Sequence, residues 1–263
     1  MNAQTIKFGM ELECYVPSEY REYFQVGAYH NGIQLRLAPE GWNGQSDSSI
    51  TLFAPYGYFG CEVVSPVLAG EDGLIQAYYM VDTLREFRAK VDDRCGLHVH
   101  VDARQLNQEQ IDNITRRFIQ YEKAFYGLSG AKAKARWENH YCANSHEWST
   151  SPYGPRYRSL NIQNWLSPQR RGKRTLEFRV WKATTNVAEV ITALHMAVAL
   201  VVGAANDVQD DLQQIAGCLE AAQAFNMQYL QNVNLRIVPE EDTNQLQEVL
   251  LQKCRQADHA FSR

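Results

Sequence analysis

The chain lacks a long unbroken apolar run; its longest, Val198 to Ala205, falls short of the roughly 20 residues a spanning helix needs, and no membrane span is expected. Nor does it open with a basic stretch followed by an apolar one, as a secretory signal would, so an intracellular, cytoplasmic protein is expected. Its six cysteines, Cys14, Cys61, Cys95, Cys142, Cys218 and Cys254, include no C-x-x-C pair. With no thiols at that spacing they read as free and mostly buried. Neither an internal repeat nor a clear linker interrupts the 263 residues, a length that suits one large domain or one domain with an appendage.

Net charge is only −4, and it is unevenly spread. Residues 132–182 hold eleven Lys/Arg against three Glu, so this segment is +8 and the rest −12. A local basic field within an acidic chain suits a confined anionic partner, such as nucleotide phosphates or a carboxylate, rather than long nucleic acid. Part of it is the basic run Arg170, Arg171, Lys173 and Arg174, which also fits a solvated loop.

Periodicity predicts a first strand over 5–16, short β runs at 33–37 and 49–54, and a strand at 61–66 ended by Pro66. A helix follows over 71–91, with Leu74, Tyr78, Val81, Leu84 and Phe87 as its apolar stripe. Strand period returns at 95–102. Asn107 and Gln110 form a capping-box pattern before a helix reaching Leu128. After an irregular stretch, strands are expected at 158–164 and 175–182. Asn186 and Glu189 then cap an almost wholly apolar helix to Ala205. Two Gln-rich helices, near 208–231 and 240–260, end the chain, with Pro239 starting the second. The expected fold is α+β with a largely antiparallel sheet.

Polar residues alternate with core residues in several of these strands. Glu11 and Glu13 in G-M-E-L-E share one strand face, about 6.5–7 Å apart, where two carboxylates repel unless a cation intervenes. His98 and His100 alternate with Leu97, Val99 and Val101, while Glu177 and Arg179 alternate with Leu176, Phe178 and Val180. Glu62 opens a further strand. One sheet face would therefore gather these charged groups, an arrangement that needs ion pairing or a metal. Three carboxylates with a His suit Mg²⁺ or Mn²⁺ better than Zn²⁺. A cupin would need a Glu soon after the second His, where only Asp102 stands. His195, on the apolar helix, reads as a core residue, and Cys95 lacks a base at a recognisable spacing.

Taken in order, G-M-E-L-E, D-S-S-I, E-V-V-S-P, G-L-H-V-H-V-D, R-Y-R-S-L-N and L-E-F-R-V-W resemble the amidoligase family, carboxylate–amine ligases related to glutamine synthetase and glutamate–cysteine ligase. The resemblance runs from about residue 6 to 205. It implies a curved, mainly antiparallel sheet with helices packed on its outer face, a funnel that takes ATP from one end and substrates from the other. Residues 1–205 would then form the catalytic domain and 206–263 a C-terminal helical extension packed on it. It implies a reaction in which ATP phosphorylates a carboxylate and an amine displaces the phosphate. Glu11, Glu13, Glu62, His98 and Glu177 would be ligands to two or three Mg²⁺ ions, with Mn²⁺ tolerated. Arg179 would contact the transferred phosphoryl group, with Glu177 and His98 catalytic beside it; His100, Arg158 and Asn161 would face ATP or substrate. Asp47, Ser48 and Ser49 read more simply as a turn than as catalytic residues.

Trp137, Trp148 and Tyr153 could stack on adenine or substrate, or anchor a loop. The expected partners are small-molecule or peptide acids and amines, without nucleic acid or membrane. Two other readings stand beside the ligase: a metal-dependent hydrolase using His98, His100 and the carboxylates, and a non-catalytic binding protein of the same fold.

Overall fold

A computed structural model describes residues 1–150, 154–167, 174–207, 215–230 and 240–263, with side chains of the last segment from 244 onward. Tyr153, the Arg170–Lys173 run, Pro239 and part of the expected 208–231 helix lie outside them. The strands are β1 (Lys7–Pro17), β2 (Ile33–Gln34), β3 (Asn43–Gln45), β4 (Tyr58–Val64), β5 (Leu68–Ala69), β6 (Gly96–Asp102), β7 (Leu160–Asn161) and β8 (Thr175–Lys182). Seven lie side by side in the order β2-β3-β4-β1-β6-β8-β7, and β5 pairs with the start of β1. All pairings between these strands are antiparallel.

The central strand shows why the chain folds this way. Met10, Leu12 and Cys14 alternate along β1 and are buried, facing the helical layer, while Glu11 and Glu13 point to the other side. On β6 the same period buries Leu97, Val99 and Val101. The helices are α1 (Ser48–Thr51), α2 (Gly70–Glu86), α3 (Gln108–Gly127), α4 (Ala133–Trp137), α5 (Gln163–Leu166), α6 (Val187–Ala205), α7 (Cys218–Phe225) and α8 (Glu240–Phe261). Helix α6 is long and apolar enough to cross a membrane by length and composition, but 83% of its most apolar window is buried inside the protein. His195 lies within it; burial pushes this imidazole down to about 4. Phe225, Tyr229, Leu250, Cys254 and Ala257 from the C-terminal segments join the same core.

Several local expectations need correction. Residues 49–54 are not a strand: the Asp47 carboxylate accepts from the Ser49 amide and caps the single turn of α1, as Asp does at helix starts. Helix α2 stops at Glu86, not 91, because Arg88 takes a left-handed φ of 55° and Lys90 turns away to bridge Tyr15. Its inner face is Leu74, Ala77, Met80, Val81 and Leu84, whereas Tyr78 is exposed. Of the expected 158–164 strand, only Leu160–Asn161 form β7 and Arg158 makes an isolated bridge to Ala143, since α5 begins at Gln163. Both expected capping positions act as such: Asn107 and Gln110 form the complete box, and Asn186 accepts from the Glu189 amide.

Candidate functional site

Strand register carries the charged residues into one row. Gln45 lies opposite Glu62, and Glu62 opposite Glu13. Glu11 lies opposite His98. His100 faces Gly9 on one side and Glu177 on the other, and Glu177 faces Asn161. The site thus draws on β3, β4, β1, β6, β8 and β7.

Within this row, ligand atoms fall into three overlapping groups, each with its atoms within 4.8 Å of one another: Glu13, Asp47 and Glu62; Glu62, Glu11 and His98; Glu11, His100 and Glu177. Glu11 and Glu62 each belong to two. Glu11 Oε2 is 3.5 Å from His98 Nδ1, and Oε1 is 3.2 Å from His100 Nε2. Burial alone would raise the Glu11 carboxyl, yet His100 and His98 hold it well below the usual range. Glu13 is raised by burial, although His98 and the Gly96 N–H, which donates to Glu13 Oε2 at 2.6 Å, oppose this. At Glu62, burial and the neighbouring Glu11 and Glu13 carboxylates push the carboxyl up to about 9, against a 2.6 Å hydrogen bond from Gln45 Nε2. Like charges packed this way lose their repulsion on binding a proton or a cation.

At the other end, Glu177 accepts from Asn161 Nδ2 at 2.8 Å and from Arg179 Nη1 at 2.5 Å. Despite burial, Arg179, His100 and His98 keep it ionised by lowering its pKa. The Arg179 guanidinium lies 5.6 Å from the centre of the Tyr157 ring, and its Nε donates to the Tyr141 carbonyl. Arg158 is placed differently. It lies over Trp148, 5.4 Å from the ring centre, and donates to the Trp148 carbonyl, so its partners belong to the loop and not to the carboxylate row. Arg156, the other arginine of R-Y-R, donates to the Tyr29 hydroxyl at 2.7 Å; against burial, Tyr29, Tyr157 and Glu177 raise its pKa.

The irregular loop is held by Glu122 on α3, which accepts from Ser145 N–H, Ser145 Oγ and Ser159 Oγ. Trp148 stacks on Phe118 and donates to the Ala143 carbonyl, and Trp137 packs on Tyr126 and Phe261. Both tryptophans are loop anchors here. Cys95 is fully buried, and burial pushes its thiol up to about 12, which leaves no thiolate to act as nucleophile.

Sequence reasoning missed Gln45, Arg136 and Arg156. Gln45 sits on a three-residue strand too short to show a period. Nothing in R-Y-R separates Arg156 from Arg158. Arg136, on α4, reaches the site face only through the tertiary fold.

A model of the family described as "Putative amidoligase enzyme" matches residues 4–151, more than half of the chain. No curated protein matches it. Among solved structures, the chain is similar to one in the crystal structure of the complex between prokaryotic ubiquitin-like protein Pup and its ligase PafA. That likeness has 10% identity and a TM-score of 0.54, and covers 99% of this chain and 65% of that one. A GmaS/ADP complex gives 10% identity and a TM-score of 0.48, covering 98% of this chain and 70% of that one. A bifunctional glutathione synthetase from Pasteurella multocida gives 10% and 0.45, with 99% and 52% covered. The chain therefore spans less than two thirds of the first of these and about half of the synthetase. At such identity the likeness to the PafA complex is one of fold, an α+β architecture built on an open antiparallel sheet. The chain belongs to the amidoligase family.

Proposed function

We propose that this protein is an ATP-dependent carboxylate–amine ligase that joins a small-molecule or peptide acid to an amine through an acyl phosphate. One observation carries the reading: three interlocking sets of carboxylate and imidazole ligands lie along one sheet face, ending at a buried guanidinium. The donor set fits Mg²⁺ or Mn²⁺, since hard oxygen ligands dominate, and the raised carboxyl of Glu62 marks the repulsion that cations would relieve. Glu11, Glu13, Asp47, Glu62, His98, His100 and Glu177 would hold them. Held there, divalent cations would supply charge neutralisation for nucleotide phosphate oxygens.

The chain's own residues have the remaining tasks. Arg179 offers a planar fork of donors to the phosphoryl group in transfer. Glu177 and the Tyr157 ring hold that fork in place, and Asn161 orients Glu177. Such positioning and charge neutralisation is most of what phosphoryl transfer asks of a protein. The substrate carboxylate oxygen attacks the terminal phosphorus and ADP leaves; the amine nitrogen then attacks the acyl carbon, phosphate leaves, and the amine proton passes to solvent or phosphate. PafA, which shares the fold, is described as the ligase of Pup, so ligase chemistry occurs on this architecture.

The test is a screen of acid–amine pairs for Mg²⁺-dependent release of ADP and phosphate. A productive pair should give ADP, with activity absent in Glu177→Gln. AMP and pyrophosphate as products would overturn the acyl-phosphate route, and metal-dependent hydrolysis without nucleotide would favour the hydrolase.

A further inference from the structure

Strands β6 and β8 pair with a slip. Leu97 lies opposite Trp181 and Val99 opposite Phe178, so two steps along β6 match three along β8. The extra residue of this bulge falls between Phe178 and Trp181, where Arg179 and Val180 pass His98. Strict alternation would send Arg179 and Trp181 to the same face. The bulge instead lets Phe178 and Trp181 both enter the core, where they are 0% and 1% exposed, while Arg179 stays beside Glu177.

A bulge of this kind leaves backbone groups outside the ladder. The Arg179 amide finds the Ser159 carbonyl at 2.8 Å. The two carbonyls of the bulge are taken by one side chain: Arg136 Nη2 donates to the Arg179 carbonyl at 2.9 Å, and Arg136 Nε to the Val180 carbonyl at 3.3 Å. Arg136 is 5% exposed. Gly96 makes room for it, because a Cβ there would stand 3.1 Å from Arg136 Nη2 and 2.8 Å from His98 Nε2. The same glycine donates its N–H to Glu13.

We propose that Arg136 is a positioning residue: its forked hydrogen bonds to the Arg179 and Val180 carbonyls hold the β8 bulge that keeps the Arg179 guanidinium on the site face. The inference rests on the ligase reading for its kinetic consequence, but not for its structural one. A lysine keeps the charge and loses the fixed two-donor fork, so Arg136→Lys isolates the fork itself.

The experiment pairs kinetics with amide hydrogen exchange on the full chain. With a productive acid–amine pair, Arg136→Lys should lower kcat by about 10- to 100-fold, the scale of a small misplacement of a reacting group, while KM for ATP changes less than about threefold. In an Arg179→Lys background the same change should cost less than about threefold, because Arg136 acts through Arg179. Exchange across residues 178–182 should quicken on the order of tenfold, with other strands unchanged. Arg136→Gln, neutral but smaller, serves if the lysine variant does not fold. Unaltered exchange in a folded variant, or fully additive kinetic losses, would overturn the proposal. If the wild-type protein shows no nucleotide-dependent turnover, the ligase reading fails and the exchange result alone decides the role of Arg136.

Discussion

Arg179 Nη1 lies 2.5 Å from Glu177 Oε1, two residues back on the same strand, in a site where both side chains are about nine-tenths buried or more. Each is the other's charge partner. Removing the carboxylate leaves a buried guanidinium unpaired, which costs about 3–5 kcal/mol. Glu177→Ala should therefore lower stability by that order in chemical denaturation and abolish turnover. Glu177→Gln keeps one hydrogen-bond acceptor for Arg179 but not the charge, so it should recover only about 0.5–1.5 kcal/mol of that loss and be as inactive. A stability loss below about 1 kcal/mol in both variants would contradict the pairing.

Glu62 ties stability to pH in the cation-free protein. Its carboxyl titrates at about 9 when folded, against a reference value of 4.5. Between these values the folded protein holds a proton that the unfolded chain has released. Its contribution to stability is thus full below about 4.5 and declines as pH rises to about 9. Glu122, pushed by burial up to about 7, has the same sign over the lower part of that window. Glu11 and Glu177, held low, act in the opposite sense and only in more acidic solution. Thermal unfolding in EDTA should fall from pH 7 to pH 9, and Glu62→Gln should flatten that fall. An unchanged slope in the variant would contradict the assignment.

A cation on Glu62 must displace its proton. Apparent Mg²⁺ affinity should rise with pH toward 9, by up to about tenfold per unit, and Glu62→Gln should remove most of that dependence. Calorimetric titration at pH 7, 8 and 9 measures both.

The three ligand groups are unequal in what they share. Asp47 belongs to one, whereas Glu11 belongs to two. Counting bound Mn²⁺ by electron paramagnetic resonance should show Asp47→Asn weakening one class of site by at least about tenfold, the lower end for lost support at a metal centre. Glu11→Gln should weaken two. Equal effects from both variants would sink the division into overlapping sites.

Glu122 has no place in the chemistry but positions the loop that supplies Tyr141, Tyr157 and Arg156. Glu122→Ala strands the Ser145 amide and the Ser159 hydroxyl, a loss of about 1–3 kcal/mol per unsatisfied group. Proteolysis should then cut within 139–159 first; cleavage elsewhere would argue against this tie.

Much of this site was legible in the sequence because strand alternation is a local rule. Glu11, Glu13, His98, His100 and Glu177 each sit two residues from a like-facing partner and between core residues, and pairing brings them into one row. Asp47 was ambiguous because the carboxylate that caps α1 also faces Glu13 and Glu62. Tyr78 misled because the buried face centres on Ala77, Val81 and Leu84, and one residue past Ala77 the helix has turned about 100° away from it. The β8 bulge was beyond local reasoning: T-L-E-F-R-V-W-K reads as a regular strand, and only the register against β6 reveals the extra residue. Arg136 was invisible for the same reason, since its partners are carbonyls more than forty residues away.

The most direct test of the central claim is calorimetric titration of the protein with ATP, in Mg²⁺ and in EDTA, for wild type and Glu11→Gln. Binding is expected in Mg²⁺, lost in EDTA and greatly weakened in the variant. ATP binding that is indifferent to both the cation and Glu11, or no ATP binding at all, would contradict it.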